Sequence, residues 1–250
     1  MLSHNQQKHL RSLSVKKYRQ QYGQFLVEGD KMVVELLGQT HVKVSEIFAL
    51  ETWIDKNARF LRPFSDKVNP ITAAELDKIS TLSTPNKVLA VVDMPIERIN
   101  FQLPTADICF YLDGIQDPGN MGSIFRVADW FGLPAVFCSP DCVDVFSSKV
   151  VQASMGAIFR VQSSEIDLGE LLMNAPQIPV VGAVLDGENV FEASLPSNGL
   201  LVIGNEGKGI SAQTEHLLTH RISILRHPEG KAESLNAAVA AGIMAAAFRR

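Results

Sequence analysis

The stretch ICFYLDGIQDPGNMGSIFR, residues 108–126, decides the fold class. Its opening residues form a continuous apolar run of strand length, the pattern of a strand buried on both faces. Asp117-Pro118-Gly119-Asn120 is a turn signature, and Asn120 is placed to cap a helix starting near Met121. Arg126 lies over a turn deeper, among Ile124, Phe125 and Val127. The same strand–loop–helix unit then recurs. Strands are expected at 108–112, 135–138, 180–185, 200–203 and 221–225, and helices at 122–131, 147–156, 166–173, 212–218 and from 233 to about 248. This alternation predicts an α/β domain with a parallel sheet covered on both faces. In such sheets the ligand crevice lies beyond the carboxyl ends of the strands, so the residues that follow each strand are the candidates for chemistry.

Upstream, the pattern is smaller in scale. A polar helix is expected at 5–20, strands at 25–28, 47–50 and 88–92, and helices at 31–37 and 73–79. Thr72 and Glu75 have the spacing of a capping box for the last of these. Residues 94–104 carry two prolines and no clear period. The expected division is a small α/β domain at 1–95, a linker at 96–104 and the parallel-sheet domain at 105–250.

The chain has 250 residues, 46% hydrophobic and 20% charged, a globular composition that excludes a disordered protein. Its longest apolar stretch, 237–248, is too short to cross a bilayer. The N-terminus lacks an apolar secretory core, which argues against export. Three cysteines, Cys109, Cys138 and Cys142, do not make a disulfide framework, and no second ligand pair gives them zinc spacing. Reduced thiols in a cytoplasmic protein are expected. The net charge is −4, but 1–95 holds 13 Lys and Arg against 10 Asp and Glu, while 96–250 holds 10 against 17. Residues 1–27 contain Lys8, Arg11, Lys16, Lys17 and Arg19 and no acid. That asymmetry fits either a solvated helix face or contact with a polyanion. Tyr18 and Tyr22 among these cations are residues of the kind that stack on bases.

Two further loops follow strands. Residues 204–210 read GNEGKGI, where glycines let a ligand approach the backbone. This is neither a dinucleotide fingerprint nor a P-loop, since Gly209 rather than Ser or Thr follows Lys208. Glu206 would repel phosphate and suit a cationic ligand or a hydroxyl donor. Ser234 and Asn236 are placed at the start of the last helix, whose free N–H groups favour an anion such as a carboxylate. The Ala-rich body of that helix fits a dimer seam or tight packing onto its own sheet. Arg126 fits a functional cation or a structural pair with an acid such as Asp129.

Together, and in this order, Asn120-x-Gly122-x-x-x-Arg126, Gly204-x-Glu206-Gly207-x-Gly209 and Ser234-Leu235-Asn236 before an Ala-rich helix resemble the SpoU (TrmH-type) family of RNA ribose 2′-O-methyltransferases. Residues 25–36, FLVEGDKMVVEL, are similar to the start of that family's N-terminal substrate-binding domain, of ribosomal L30e-like fold. The resemblance implies a C-terminal domain with a deep trefoil knot, S-adenosylmethionine as cofactor, a homodimer and an RNA substrate, ribosomal or transfer. It assigns the cofactor to Leu185, Gly204, Glu206, Gly207, Ile224, Leu225, Ser234 and Leu235. It places Asn120, Arg126, Glu206, Ser234 and Asn236 in the catalytic site. RNA contacts are expected from Lys8, Arg11, Lys16, Lys17, Arg19 and Arg126.

The implied reaction moves a methyl from a sulfonium to a ribose hydroxyl and calls for no metal. A guanidinium hardly deprotonates, so Arg126 is expected to clamp the target phosphate and hydroxyl rather than act as a base, with Glu206 or a phosphate accepting the proton. One departure stands out. Where many relatives have a Pro-Met pair and a shorter segment after the isoleucine, this chain has LRHPEGKAE at 225–233, adding Arg226, His227 and Lys231. The alternative reading is a non-catalytic RNA-binding ribosome-assembly factor on the same fold. A nucleotide-dependent oxidoreductase is excluded by the missing early glycine fingerprint.

Overall fold

Ten strands and their helices fall into two units in the computed structural model, which describes residues 2–95 and 99–250. Part of the expected linker, 96–98, lies outside the described residues; the rest includes a short helix, Leu103–Ala106. Residues 2–95 and 146–159 form one unit, and 99–145 and 160–250 the other.

The first unit contains β1 (Gln24–Glu28), β2 (Val44–Ala49), β3 (Val68–Pro70) and β4 (Val88–Asp93), ordered β1-β4-β2-β3. β4 runs antiparallel to both neighbours, and β2 and β3 are parallel. Leu26, Phe48, Leu89 and Val91 join Leu10, Leu13, Leu76 and Ile79 in its core. The single helix expected at 5–20 is two, His4–Ser12 and Lys16–Tyr22. The break is held by Arg19, which is only 3% exposed and donates from Nη1 to the Leu13 carbonyl at 2.7 Å. Arg19, expected among the RNA contacts, is buried inside the protein rather than presented on its surface.

The expected capping box forms. Thr72 Oγ1 accepts from the Glu75 amide, and the Glu75 carboxylate accepts from the Thr72 amide at 2.9 Å and from the Leu2 amide at 2.7 Å. These bonds, that of Thr72 first, hold the carboxyl at about 2 against an ordinary 4.5. A depressed carboxyl stabilises above its unfolded value and loses that contribution as pH falls through the folded one. Amide protection at Leu2 and Thr72 is expected to drop, relative to neighbouring amides, as pH is lowered from 4.5 towards 2. Constant protection by hydrogen exchange would contradict this.

Helix Ser148–Ser154, expected as a layer of the second domain, belongs to the first unit. Phe146 packs against Phe25 with centroids 4.8 Å apart, and Gln152 Nε2 donates to the Glu28 carbonyl at 2.6 Å.

The second unit contains β5 (Ile108–Asp113), β6 (Ala135–Cys138), β7 (Gln162–Glu165), β8 (Val180–Asn189), β9 (Gly199–Gly204) and β10 (His220–Ser223). They form one parallel sheet, ordered β10-β8-β9-β5-β6-β7. Every residue of β5 is buried, as its apolar run predicts. The three cysteines form no disulfide: Cys109 and Cys138 are buried and Cys142 is half-buried, and burial pushes the Cys109 thiol up to about 12. Among the described residues no helix is long and apolar enough to cross a membrane, and no group of three His, Cys, Asp or Glu residues could hold a metal.

The pairing of β8 with β10 is irregular. Arg221 pairs with Gly182, but the next residue, Ile222, pairs with Glu188. Residues 183–187 thus leave the ladder and bow around β10. Gly187 makes the approach possible: a Cβ there would lie 2.5 Å from the Ile222 carbonyl carbon.

Candidate active site

The loops after β5, β9 and β10 are joined by side-chain hydrogen bonds. The first helix to consider, Pro118–Phe131, begins three residues earlier than expected because Pro118 takes its first turn, where no N–H is needed. Its cap is Asp117, whose Oδ1 accepts from the Asn120 amide at 2.8 Å. Asn120 is thus freed from capping. Its Nδ2 donates to Glu206 Oε1 at 2.6 Å, and its Oδ1 accepts from Asn236 Nδ2 at 2.7 Å.

Asn236 is itself the cap of the last helix, which runs Ala237–Phe248 rather than from 233. Its Oδ1 accepts from the Ala238 and Val239 amides. Those N–H groups, expected to face an anion, are already satisfied. Ser234 lies two residues outside the cap and is exposed. The helix buries Ala237, Ala241, Met244, Ala245 and Ala247, and packs on Pro118–Phe131 and β9. Tight packing accounts for that face of its alanines.

The loop after β9 is shaped by Asn205, a residue that did not stand out in the sequence. Its Oδ1 accepts from the Gly207 and Lys208 amides, and its Nδ2 donates to the Gly114 carbonyl at 2.8 Å. Asn205 and Gly209 also exchange two backbone bonds of 2.9 Å. An Asx side chain within a glycine-rich turn is the signal that could have found it. Gly204 is required by closeness, since a Cβ would lie 2.4 Å from the Gly209 carbonyl carbon. Gly207 is not: its φ is outside the left-handed region and a Cβ would meet only Asn205 Oδ1, at 3.7 Å. Asp113 anchors the far side of the loop by accepting from the Ser211 amide.

The loops after β9 and β10, with residues 183–186 of β8 and the last helix, enclose a cavity of about 600 Å³, within the range of small-molecule and cofactor sites. Leu185, Gly204, Glu206, Gly207, Ile224, Ser234 and Leu235 all line it. Leu225 does not: it follows the end of β10 with its side chain 61% exposed. The lining carries the carboxylates of Asp186, Glu206, Glu215 and Glu233 against the cations Lys208 and Arg221, an acidic excess that suits a positively charged ligand. Arg221 bridges Asp186 at 2.7 Å and Glu215 at 2.6 Å, and its guanidinium holds the Asp186 carboxyl below the usual carboxylate range.

Arg126 stands apart from this network. It is exposed, and among the described residues no side chain pairs with it. Asp129, the alternative partner, is taken by Arg160 through bonds of 2.9 and 2.8 Å.

The SpoU rRNA Methylase family model matches residues 107–246, more than half of the chain. The chain belongs to the SpoU family. A second model, the MRM3-like substrate binding domain, matches residues 5–90. The chain is 29% identical to the 23S rRNA guanosine-2′-O-methyltransferase RlmP of Bacillus subtilis, over 94% of this chain and 92% of that protein. Among solved structures, a protein of the TrmH family from Porphyromonas gingivalis superposes with a TM-score of 0.87 and 39% identity, covering 100% of this chain and 98% of the other. The SpoU methyltransferase AviRb of Streptomyces viridochromogenes, solved with AdoMet, gives a TM-score of 0.84 at 26% identity, covering 99% of this chain and 97% of that one. The SpoU match spans all three loops and the residues lining the cavity.

Proposed function

We propose that this protein transfers the methyl group of S-adenosylmethionine to a ribose 2′-hydroxyl of ribosomal RNA. The observation that carries the reading is the acid-rich cavity between the loops after β9 and β10 and residues 183–186 of β8, tied through Glu206 to Asn120 and from there to Asn236. RlmP, named for this reaction on 23S rRNA, and AviRb, solved with AdoMet, support it.

S-adenosylmethionine supplies an electrophilic methyl on a sulfonium, so its donor chemistry needs a site that accepts positive charge. The residues that would hold it are Leu185, Gly204, Glu206, Gly207, Ile224, Ser234 and Leu235. Asn120 positions the Glu206 carboxylate by donating to one of its oxygens, and Asn236 holds Asn120 in turn. Arg126 clamps the target phosphate and hydroxyl, and its gain is one of orientation, since a guanidinium stays protonated. Glu206 or the neighbouring phosphate takes the hydroxyl proton. Ser234 helps to seat the ribose or the cofactor.

The same reading makes 1–95 a substrate-binding domain, to which 146–159 contributes, and the rest of 105–250 a methyltransferase domain, and places the protein in the cytoplasm. The bow of residues 183–187 around β10 supports a threaded trefoil knot. Trp130, 84% exposed, and Val239, 50% exposed, leave apolar side chains uncovered on two adjacent helices and support a homodimer. Incubation with methyl-labelled S-adenosylmethionine and ribosomal RNA, followed by nuclease digestion, is expected to yield a labelled 2′-O-methylnucleoside. Label in a base would contradict the reading.

RNA docking is assigned to the exposed cations Lys8, Arg11 and Lys17, with Lys16 half-buried beside them. Reversing Lys8, Arg11 and Lys17 to Glu is expected to weaken RNA binding and to reduce its salt slope by about 0.7–0.9 for each phosphate left without its cation. An unchanged slope in anisotropy titrations would move the RNA surface away from these residues.

A further inference from the structure

The segment that carries those cations also carries two exposed tyrosines that the reaction does not use. Tyr18 is 37% exposed and Tyr22 is 45% exposed. They lie four residues apart on helix Lys16–Tyr22, with rings 18° from parallel and centroids 6.4 Å apart. Two features fix them. His9 meets Tyr22 edge-on at 4.6 Å, and His9 Nε2 is bonded to Gln24 Oε1 at 3.0 Å. The helix itself is pinned by the buried Arg19. Exposed aromatic rings held in place cost little ordering on binding. The segment that carries the rings, residues 1–27, holds five Lys and Arg and no acid, a composition that favours a polyanion.

We infer that Tyr18 and Tyr22 form a stacking platform for unpaired RNA bases, with Lys8, Arg11 and Lys17 holding the flanking phosphates. The inference rests on the reading of the protein as an RNA methyltransferase and narrows its substrate. The docked RNA presents at least one unpaired nucleotide here, because base faces are closed off within a helix and open in single strands.

The test uses the full chain with two probes, a short single-stranded uridine oligonucleotide and a blunt RNA duplex of equal length, titrated by anisotropy at several salt concentrations. Tyr18→Ala and Tyr22→Ala are each expected to weaken single-strand binding about ten-fold, the scale of one lost base stack. The salt slope and duplex affinity should stay as in the parent protein, because no charge has been removed. Tyr18→Phe keeps the π-face and should bind as the parent does. Tyr18→Trp should also bind, with its indole fluorescence quenched by the single strand and not by the duplex. Unchanged single-strand affinity in both alanine variants would overturn the inference, as would equal losses on strand and duplex. Failure of the methyltransferase reading shows separately, as absence of methyl transfer by the parent protein.

Discussion

Arg126→Ala is expected to leave S-adenosylmethionine binding nearly intact and to slow methyl transfer by more than about a hundredfold, the scale on which a lost orienting group acts. The structure makes this variant informative. Arg126 is exposed on helix Pro118–Phe131 and bonds to no side chain among the described residues, so removing it takes nothing from the fold. Asp129, which would otherwise have held it, is already committed to Arg160. Calorimetry with the cofactor and a single-turnover assay check the two halves of the expectation. Near-normal turnover would remove Arg126 from the reaction, and lost cofactor binding would place it in the wrong step.

Gly207→Val is expected to abolish cofactor binding in a protein that stays folded. Had Gly207 been held at positive φ, the substitution would have confused strain with steric exclusion. It is not: the positive φ in this loop belongs to Gly209, at 71°. A Cβ at 207 finds open space apart from Asn205 Oδ1. The chain therefore tolerates the side chain, and only an occupant of the cavity would meet it. Gly204→Val is the contrasting variant, since its Cβ collides with the backbone of Gly209 and Ile210 and should disrupt the loop itself. Circular dichroism with cofactor titration separates the outcomes. A folded Gly207→Val protein with normal affinity would mean that the cofactor lies against another loop.

How much of this was legible in the sequence follows from which forces leave a local trace. β5, β6 and β9 are buried strands, as is the start of β8, and their apolar runs announce them, while the edge strand β10 shows only through Ile222 and the apolar residues that follow it. β7 is an edge strand of Gln162, Ser163, Ser164 and Glu165, partly exposed throughout, and carries no apolar run to read. β3 is three residues ending in Pro70 and escapes for the same reason. Periodicity showed that 147–156 is a buried helix but not which sheet buries it, and it packs with the first unit. Charge was misleading at Arg19, where sequence reads a cation but cannot see that its guanidinium closes a turn inside the protein.

At the site, the loops were findable because each follows a strand of a parallel sheet. The bonds that join them were not. Glu206 reaches Asn120 across 86 residues of chain, and Asn236 reaches it across 116. Asp117 rather than Asn120 caps the helix because Pro118 moves its start, and that shift leaves the Asn120 side chain available for the network.

Nucleotide-resolution mapping of ribose methylation in ribosomal RNA from cells with and without this gene reads the proposed reaction at its product. A ribose 2′-O-methylation is expected to disappear with the gene, to return with the parent protein and not to return with Arg126→Ala. An unchanged pattern of ribose methylation, with a base methylation lost in its place, would contradict it.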